Sequence, residues 1–158
     1  QSFPSIVVNM AVLALVSRPG VAHMIAALSI TGWGTYARVA RAEVLRLRDR
    51  EFVQAARCLG ASPWRIFFRH VLPNASGPLV VQATFGLGAT VLAEASLSFL
   101  GLGPGASASW GSLLDQGTAH LLRTPRLAIT AGSAIAVTVL GFNLTGDWLR
   151  DVLDPKGD

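Results

Sequence analysis

Four stretches of apolar residues, separated by polar or turn-forming segments, organise this chain. The first runs from Phe3 to Val16, only 14 residues. A membrane span needs about 20. The chain opens inside this stretch, at Gln1, so it reads as the truncated end of a longer helix, with Pro4 near its broken start. Ser17-Arg18-Pro19-Gly20 is a tight turn by its Pro-Gly pair. The second stretch covers 21–37 and ends on Trp33 and Tyr36, where an interfacial aromatic belt is expected. Gly32 and Gly34 leave room there for a neighbouring helix. The third, 78–102, is broken only by Glu94, and the fourth, 127–144, carries no charge. Asp147 and Trp148 then mark its far interface.

A helix on the surface of a soluble domain shows an apolar stripe at helical spacing and a polar opposite face. These stretches mostly lack the polar face, so they are expected to lie in lipid. The fold class expected is all-α: a polytopic transmembrane helix bundle. Residues 1–158 form part of one domain, with earlier spans expected upstream. No internal repeat or linker divides it.

Composition agrees. Hydrophobic residues make up 51% and charged residues 14%, where soluble domains run nearer a quarter charged. The formal net charge is +4, and its placement matters more than its size. Eight arginines lie between Arg38 and Arg69 against three acids, Glu43, Asp49 and Glu51. The positive-inside rule puts 38–74 in the cytoplasm. The loop over 103–126 then faces outward, and the tail after the last span returns to the cytoplasm. Basic residues among aromatics can also mark a nucleic-acid surface. The topological bias accounts for them here, so membrane lipid, touched by Arg38 and Arg41, is the expected partner and nucleic acid is not.

The long cytoplasmic segment has its own pattern. Phe52, Ala55, Ala56 and Leu59 fall at i, i+3, i+4 and i+7 of a short helix, with Gln54 and Arg57 on another face. Gly60 is placed to end that helix. Ser62 is a good N-cap and Pro63 suits the first position of a second helix. That helix carries Trp64, Phe67, Phe68 and Val71 beside Arg65 and Arg69, and Pro73 is expected to stop it. Connections in helical bundles usually take about 2–8 residues. This one is far longer and patterned, so it is expected to seat on a partner. The small pair Ala55-Ala56 permits deep seating, and the glycine hinge permits a rigid push on the attached spans.

Gln54-Ala55-Ala56, three residues, Gly60, eleven residues, then Leu72-Pro73 resembles the Glu-Ala-Ala loop of binding-protein-dependent ATP-binding-cassette importer permeases. That family's pattern is Glu-Ala-Ala-x3-Gly-x9-Ile-x-Leu-Pro. Here Gln54 stands for the Glu and His70 for the Ile, and the spacing is kept. The likeness continues over Leu92 to Gly103, over Ser109-Trp110-Gly111, and over Phe142-Asn143-Leu144 through Gly146-Asp147 and Leu149-Arg150-Asp151 to Asp154-Pro155. These segments resemble the C-type subunit of the dipeptide/oligopeptide (peptide/nickel) branch. The resemblance implies half of a translocation pore in a bacterial inner membrane, completed by a homologous permease subunit. It implies two ATPase subunits that bind ATP and Mg, and an extracytoplasmic substrate-binding protein. The ATPase-coupling loop it implies comprises Phe52, Gln54, Ala55, Ala56, Arg57, Leu59, Gly60, Ser62, Pro63, Trp64, Arg69, Leu72 and Pro73. No phosphate-binding G-x-x-x-x-G-K-[ST] motif occurs in the chain. The chain itself is therefore expected to be non-catalytic and to hold no cofactor.

Single residues carry less. Glu94 lies about 28 Å along a helix begun near Ala75, so it reads either as a pore or gate carboxylate or as a structural hydrogen-bonding group. Trp110 is a candidate contact in the outer loop, against a plain interfacial anchor. His23, His70 and His120 show no metal-ligand spacing, and no metal site is expected. The one cysteine, Cys58, reads as a bland thiol, and Asp147, Asp151 and Asp154 as solvated. Two other functions stay open: import of nickel or another small solute, and a membrane scaffold that transports nothing.

Overall fold

The computed structural model describes residues 3–105 and 109–153, and among these every regular element is helical. In chain order they are α1 (Ser5–Ala14), α2 (Val21–Arg48), α3 (Glu51–Cys58), α4 (Pro63–Ile66), a π-helical turn (Phe67–Val71), α5 (Leu72–Phe99), α6 (Trp110–Ala119) and α7 (Arg126–Leu153). Two continuous helical runs are long and apolar enough to cross a bilayer: Pro63–Phe99, of 37 residues, and α7, of 28. The all-α class stands. Asp154 and Pro155 lie outside the described residues.

Three differences from the sequence pattern have physical causes. First, α2 does not end at Ala37 but runs 11 residues further, to Arg48. Arg and Glu are good helix formers once no packing constraint opposes them, and Glu43 and Arg46 pair one turn apart at 2.8 Å. At 1.5 Å per residue the whole helix is about 42 Å long. That exceeds a hydrocarbon core of about 30 Å. Second, Pro73 does not stop the helix begun at Pro63. A proline ring clashes with the carbonyl four residues back and donates no hydrogen bond. Here the turn just before it widens: the Leu72 N–H reaches back five residues to the Phe67 carbonyl. A wide turn of this kind accommodates an extra residue within a helix. The Asn74 side chain also donates to the His70 carbonyl at 2.6 Å. Third, the segment 103–126, which the sequence pattern leaves as a loop, contains a helix, α6.

The chain divides into two compact units, 1–33 with 86–143 and 34–85 with 144–158. In the first, Leu13, Met24, Ala27 and Leu97 form a core from α1, α2 and α5. Beside it Asn9, only 2% exposed, accepts a hydrogen bond from the Thr31 hydroxyl at 3.0 Å. In lipid an unpaired amide would find no water, so this pairing ties α1 to α2. Helix α6 is held by small residues. Gly111 lies against the backbone of Ala95 in α5, and Gly117 against that of Ala128 in α7. In the second unit, Leu47, Val53, Ala56, Ile66, Val71 and Ala75 form a core shared by α2, α3, α4, the wide turn and α5. Burying side chains the size of Val or Ile contributes about 1.5–3 kcal/mol each.

Candidate functional site

The patterned segment folds as a helical hairpin built on that second core. Arg50, in extended conformation with ψ 147°, separates α2 from α3. Glu51 in the first turn of α3 suits the positive end of the helix dipole. At the other end Gly60 has φ +76°. The Ala61 N–H bonds to the Ala56 carbonyl at 3.1 Å and the Gly60 N–H to the Arg57 carbonyl at 2.9 Å. This is a Schellman C-cap, whose left-handed position favours glycine. Two residues later the Ser62 hydroxyl accepts from the Arg65 N–H at 3.4 Å, with Pro63 opening α4. Each turn of chain direction thus has its own local cause: Gly60 stops one helix and Ser62-Pro63 starts the next.

The face of α3 that points inward is not the whole set read from the spacing. Val53 and Ala56 are buried, while Phe52, Ala55 and Leu59 are exposed, Leu59 at 88%. Ala56 therefore belongs to the chain's own core, where it lets α3 lie close. The outward apolar face is Phe52, Ala55 and Leu59. Helix α4 and the wide turn add a second patch. Trp64 stacks on Phe68 with ring centroids 5.9 Å apart, and Phe67 meets Phe68 edge-on at 5.0 Å. Trp64 is 73% exposed and Phe68 58%. The three rings form a contiguous aromatic set at the surface, a candidate interaction surface. Arg57 and Arg69 are exposed beside it, as are Leu72 and Pro73.

Gln54 is exposed and its amide donates to the Asp49 carbonyl at 3.0 Å. An ionised carboxylate has no hydrogen to donate, so a glutamate at this position could not make the bond. Cys58 is exposed. His70 packs its ring near Phe52, with centroids 6.5 Å apart. No group of histidine, cysteine or acidic residues with metal-binding arrangement occurs among the described residues.

The other two candidates, Glu94 and Trp110, lie in the first unit. Glu94 is half-buried and accepts a hydrogen bond from the buried Ser98 hydroxyl at 2.6 Å, one turn on. Gly103 closes over the same hydroxyl. Glu94 therefore has a structural partner. Trp110 opens α6 and is 41% exposed. Ser109 and Ser112 before and after it form a reciprocal capping box. That Ser-x-x-Ser spacing was the available signal for α6. The wide turn before Pro73 had none, because it depends on how the Pro63 helix joins α5.

The family described as binding-protein-dependent transport system inner membrane component matches residues 1–157. The chain is 40% identical, over 98% of its length, to the dipeptide transport system permease protein of Alkalihalophilus pseudofirmus, covering 51% of that protein. It is 44% identical, over 93% of its length, to the oligopeptide transport system permease protein of Bacillus subtilis, covering 49%. To the glutathione transport system permease protein of Escherichia coli it is 40% identical over 98%, covering 51%. The chain thus spans about half the length of these curated relatives.

Proposed function

The chain belongs to the family of binding-protein-dependent transport system inner membrane components, and from that premise we propose that it forms part of one half of a peptide-translocating pore. The relatives are named for dipeptides, oligopeptides and glutathione, which supports peptides over nickel or another small solute as cargo. Its partners are a homologous permease subunit, two ATPase subunits carrying ATP and Mg, and an extracytoplasmic binding protein. The chain is non-catalytic and transmits work done elsewhere. Residues 38–74 and the tail face the cytoplasm, and 103–126 faces outward.

The observation that carries this reading is the exposed hairpin surface: Phe52, Ala55 and Leu59 on α3, and Trp64 with Phe68 beyond Gly60. Apolar area of this kind gains about 25 cal/mol per Å² when removed from water, so an ATPase groove would bind it. The helix begun at Pro63 runs without interruption to Phe99, which supports transmission of a push at α4 into the third span. Glu94 at the outer end of that span is assigned here to structure through Ser98, with a pore contact as the alternative. Trp110 is assigned to the outer surface over the pore mouth.

Disulfide crosslinking tests the coupling role. Cys58 is exposed and must be replaced first. Ala55→Cys in the intact transporter should then crosslink to single cysteines in the ATPase groove, with a yield that changes between nucleotide-free and ATP-bound states. A transporter that still hydrolyses ATP but gives no crosslink at any groove position would refute coupling through this hairpin and favour a scaffold. For Glu94, unchanged peptide uptake by Glu94→Gln supports the structural assignment, and loss of uptake with normal assembly supports the pore contact.

A further inference from the structure

A cavity of about 440 Å³ lies within the second unit, bounded on one side by Pro73 at the end of the hairpin segment. Its polar lining includes Arg46, Asn74, Gln82 and Arg150, and its apolar lining includes Val81 and Phe85. Two close glycine contacts set the helices around it. A Cβ at Gly146 of α7 would come within 2.7 Å of the Thr84 hydroxyl of α5, and one at Gly77 of α5 within 3.7 Å of the Leu153 Cβ. The two contacts are seven residues apart on each helix, about 10.5 Å. Arg150 lies between them in sequence on α7 and, though exposed, lines the cavity. Arg46 approaches from α2.

The charges around this cavity are unequal in their pairing. Arg46 is held by Glu43 through 2.8 and 3.0 Å contacts on the same carboxylate oxygen. The Arg150 guanidinium makes no ion pair or hydrogen bond among the described residues, and neither does the Gln82 amide. Asp147 and Asp151, the acids nearest Arg150 along α7, are exposed and do not line the cavity. Planar guanidinium groups match phosphate oxygens in two-point contact. The apolar wall of Val81 and Phe85 continues along the span. A free anion would not use that wall, whereas a molecule with a phosphate head and a hydrocarbon body would use both.

We propose that this cavity binds the phosphodiester headgroup of an anionic phospholipid, with Arg150 and Arg46 on the phosphate, Gln82 and Asn74 on its polar surroundings, and the first acyl carbons along Val81 and Phe85. The proposal rests on the membrane placement given above, but its test does not depend on which side is cytoplasmic. Each arginine near an anionic lipid surface is worth about fivefold in lipid affinity.

The intact transporter would be purified from membranes containing phosphatidylglycerol and phosphatidylcholine, and the retained lipids measured by native mass spectrometry. Wild type should retain phosphatidylglycerol preferentially, and Arg150→Gln should weaken retention about fivefold. Arg65→Gln removes an exposed charge from the same segment that does not line the cavity, and should leave retention unchanged. Equal loss in that control would show a diffuse charge effect and overturn the proposal. Displacement of the retained lipid by inorganic phosphate would overturn it too, since a free anion would then be the ligand. Should Arg150→Gln fail to assemble, Gln82→Leu serves in its place. It keeps the charge but removes the amide, and retention equal to wild type would count against the site.

Discussion

Gly60 offers the sharpest test of the hairpin, because its substitution isolates backbone conformation from packing. Its φ of +76° lies in the left-handed region, and a Cβ built there meets nothing within 4 Å. Gly60→Ala therefore adds no steric contact. It should pay about 1–2 kcal/mol for the left-handed backbone. Against this, the alanine reduces the freedom of the unfolded chain, which returns about 0.4–1 kcal/mol. The net destabilisation of the C-cap is about 1 kcal/mol, roughly fivefold in its opening equilibrium. Gly60→Asn should fall between alanine and glycine, since asparagine tolerates this region better. Hydrogen exchange in the assembled transporter reads the effect at the Ala61 amide, which bonds to the Ala56 carbonyl. That amide should exchange about fivefold faster in Gly60→Ala, and ATP turnover should respond less to the binding protein. An alanine variant as protected as wild type, or an asparagine variant no better than alanine, would show that the left-handed cap does not set the angle between α3 and α4.

Three further substitutions probe the rest of the fold. Gly111→Ala would place a Cβ 2.7 Å from the Ala95 Cα and closer still to its carbonyl oxygen, so it should cost about 1–3 kcal/mol. Thermal unfolding of the assembled complex should show this, with Gly32→Ala inside α2, which meets nothing within 4 Å, as the control that loses no stability and gains up to about 1 kcal/mol from helix propensity. Thr31→Val leaves the buried Asn9 carbonyl without its donor and should lower stability by about 1 kcal/mol. The double variant with Asn9→Leu should recover part of that in the same assay. Gln54→Glu removes the donor to the Asp49 carbonyl and should cost α3 about 0.5–1.5 kcal/mol. Faster exchange of the first-turn amides of α3 is the expected readout, and unchanged exchange would mean the bond carries no weight.

The sequence made the punctuation of this chain legible and left its faces ambiguous. Gly60, Ser62 and Pro63 act through their own backbone and nearest neighbours, so their roles could be read without a fold, and the structure places a C-cap and an N-cap there. Pro73 also acts locally, but its consequence does not. A proline ends a helix only if the preceding turn keeps normal pitch, and here the turn at Phe67–Val71 is wide, with Val71 and Ala75 buried in the core on either side of Pro73. The same limit applies to α3. Ala55 and Ala56 are adjacent, so their side chains point about 100° apart on a helix, and a shared apolar label cannot put both on one neighbour. Spacing grouped them with Phe52 and Leu59, whereas burial divides them: Ala56 beneath the helix with Val53, Ala55 outside with Phe52 and Leu59. The division follows from Val53, which the spacing had left aside. It is the larger side chain of that buried pair and is fully buried, so it fixes which side of α3 meets the core. A chain with a polar residue at 53 would lose the larger apolar anchor of α3 and with it the reason for presenting Phe52, Ala55 and Leu59 outward. The outward surface of the hairpin is therefore specified by a residue that does not belong to it.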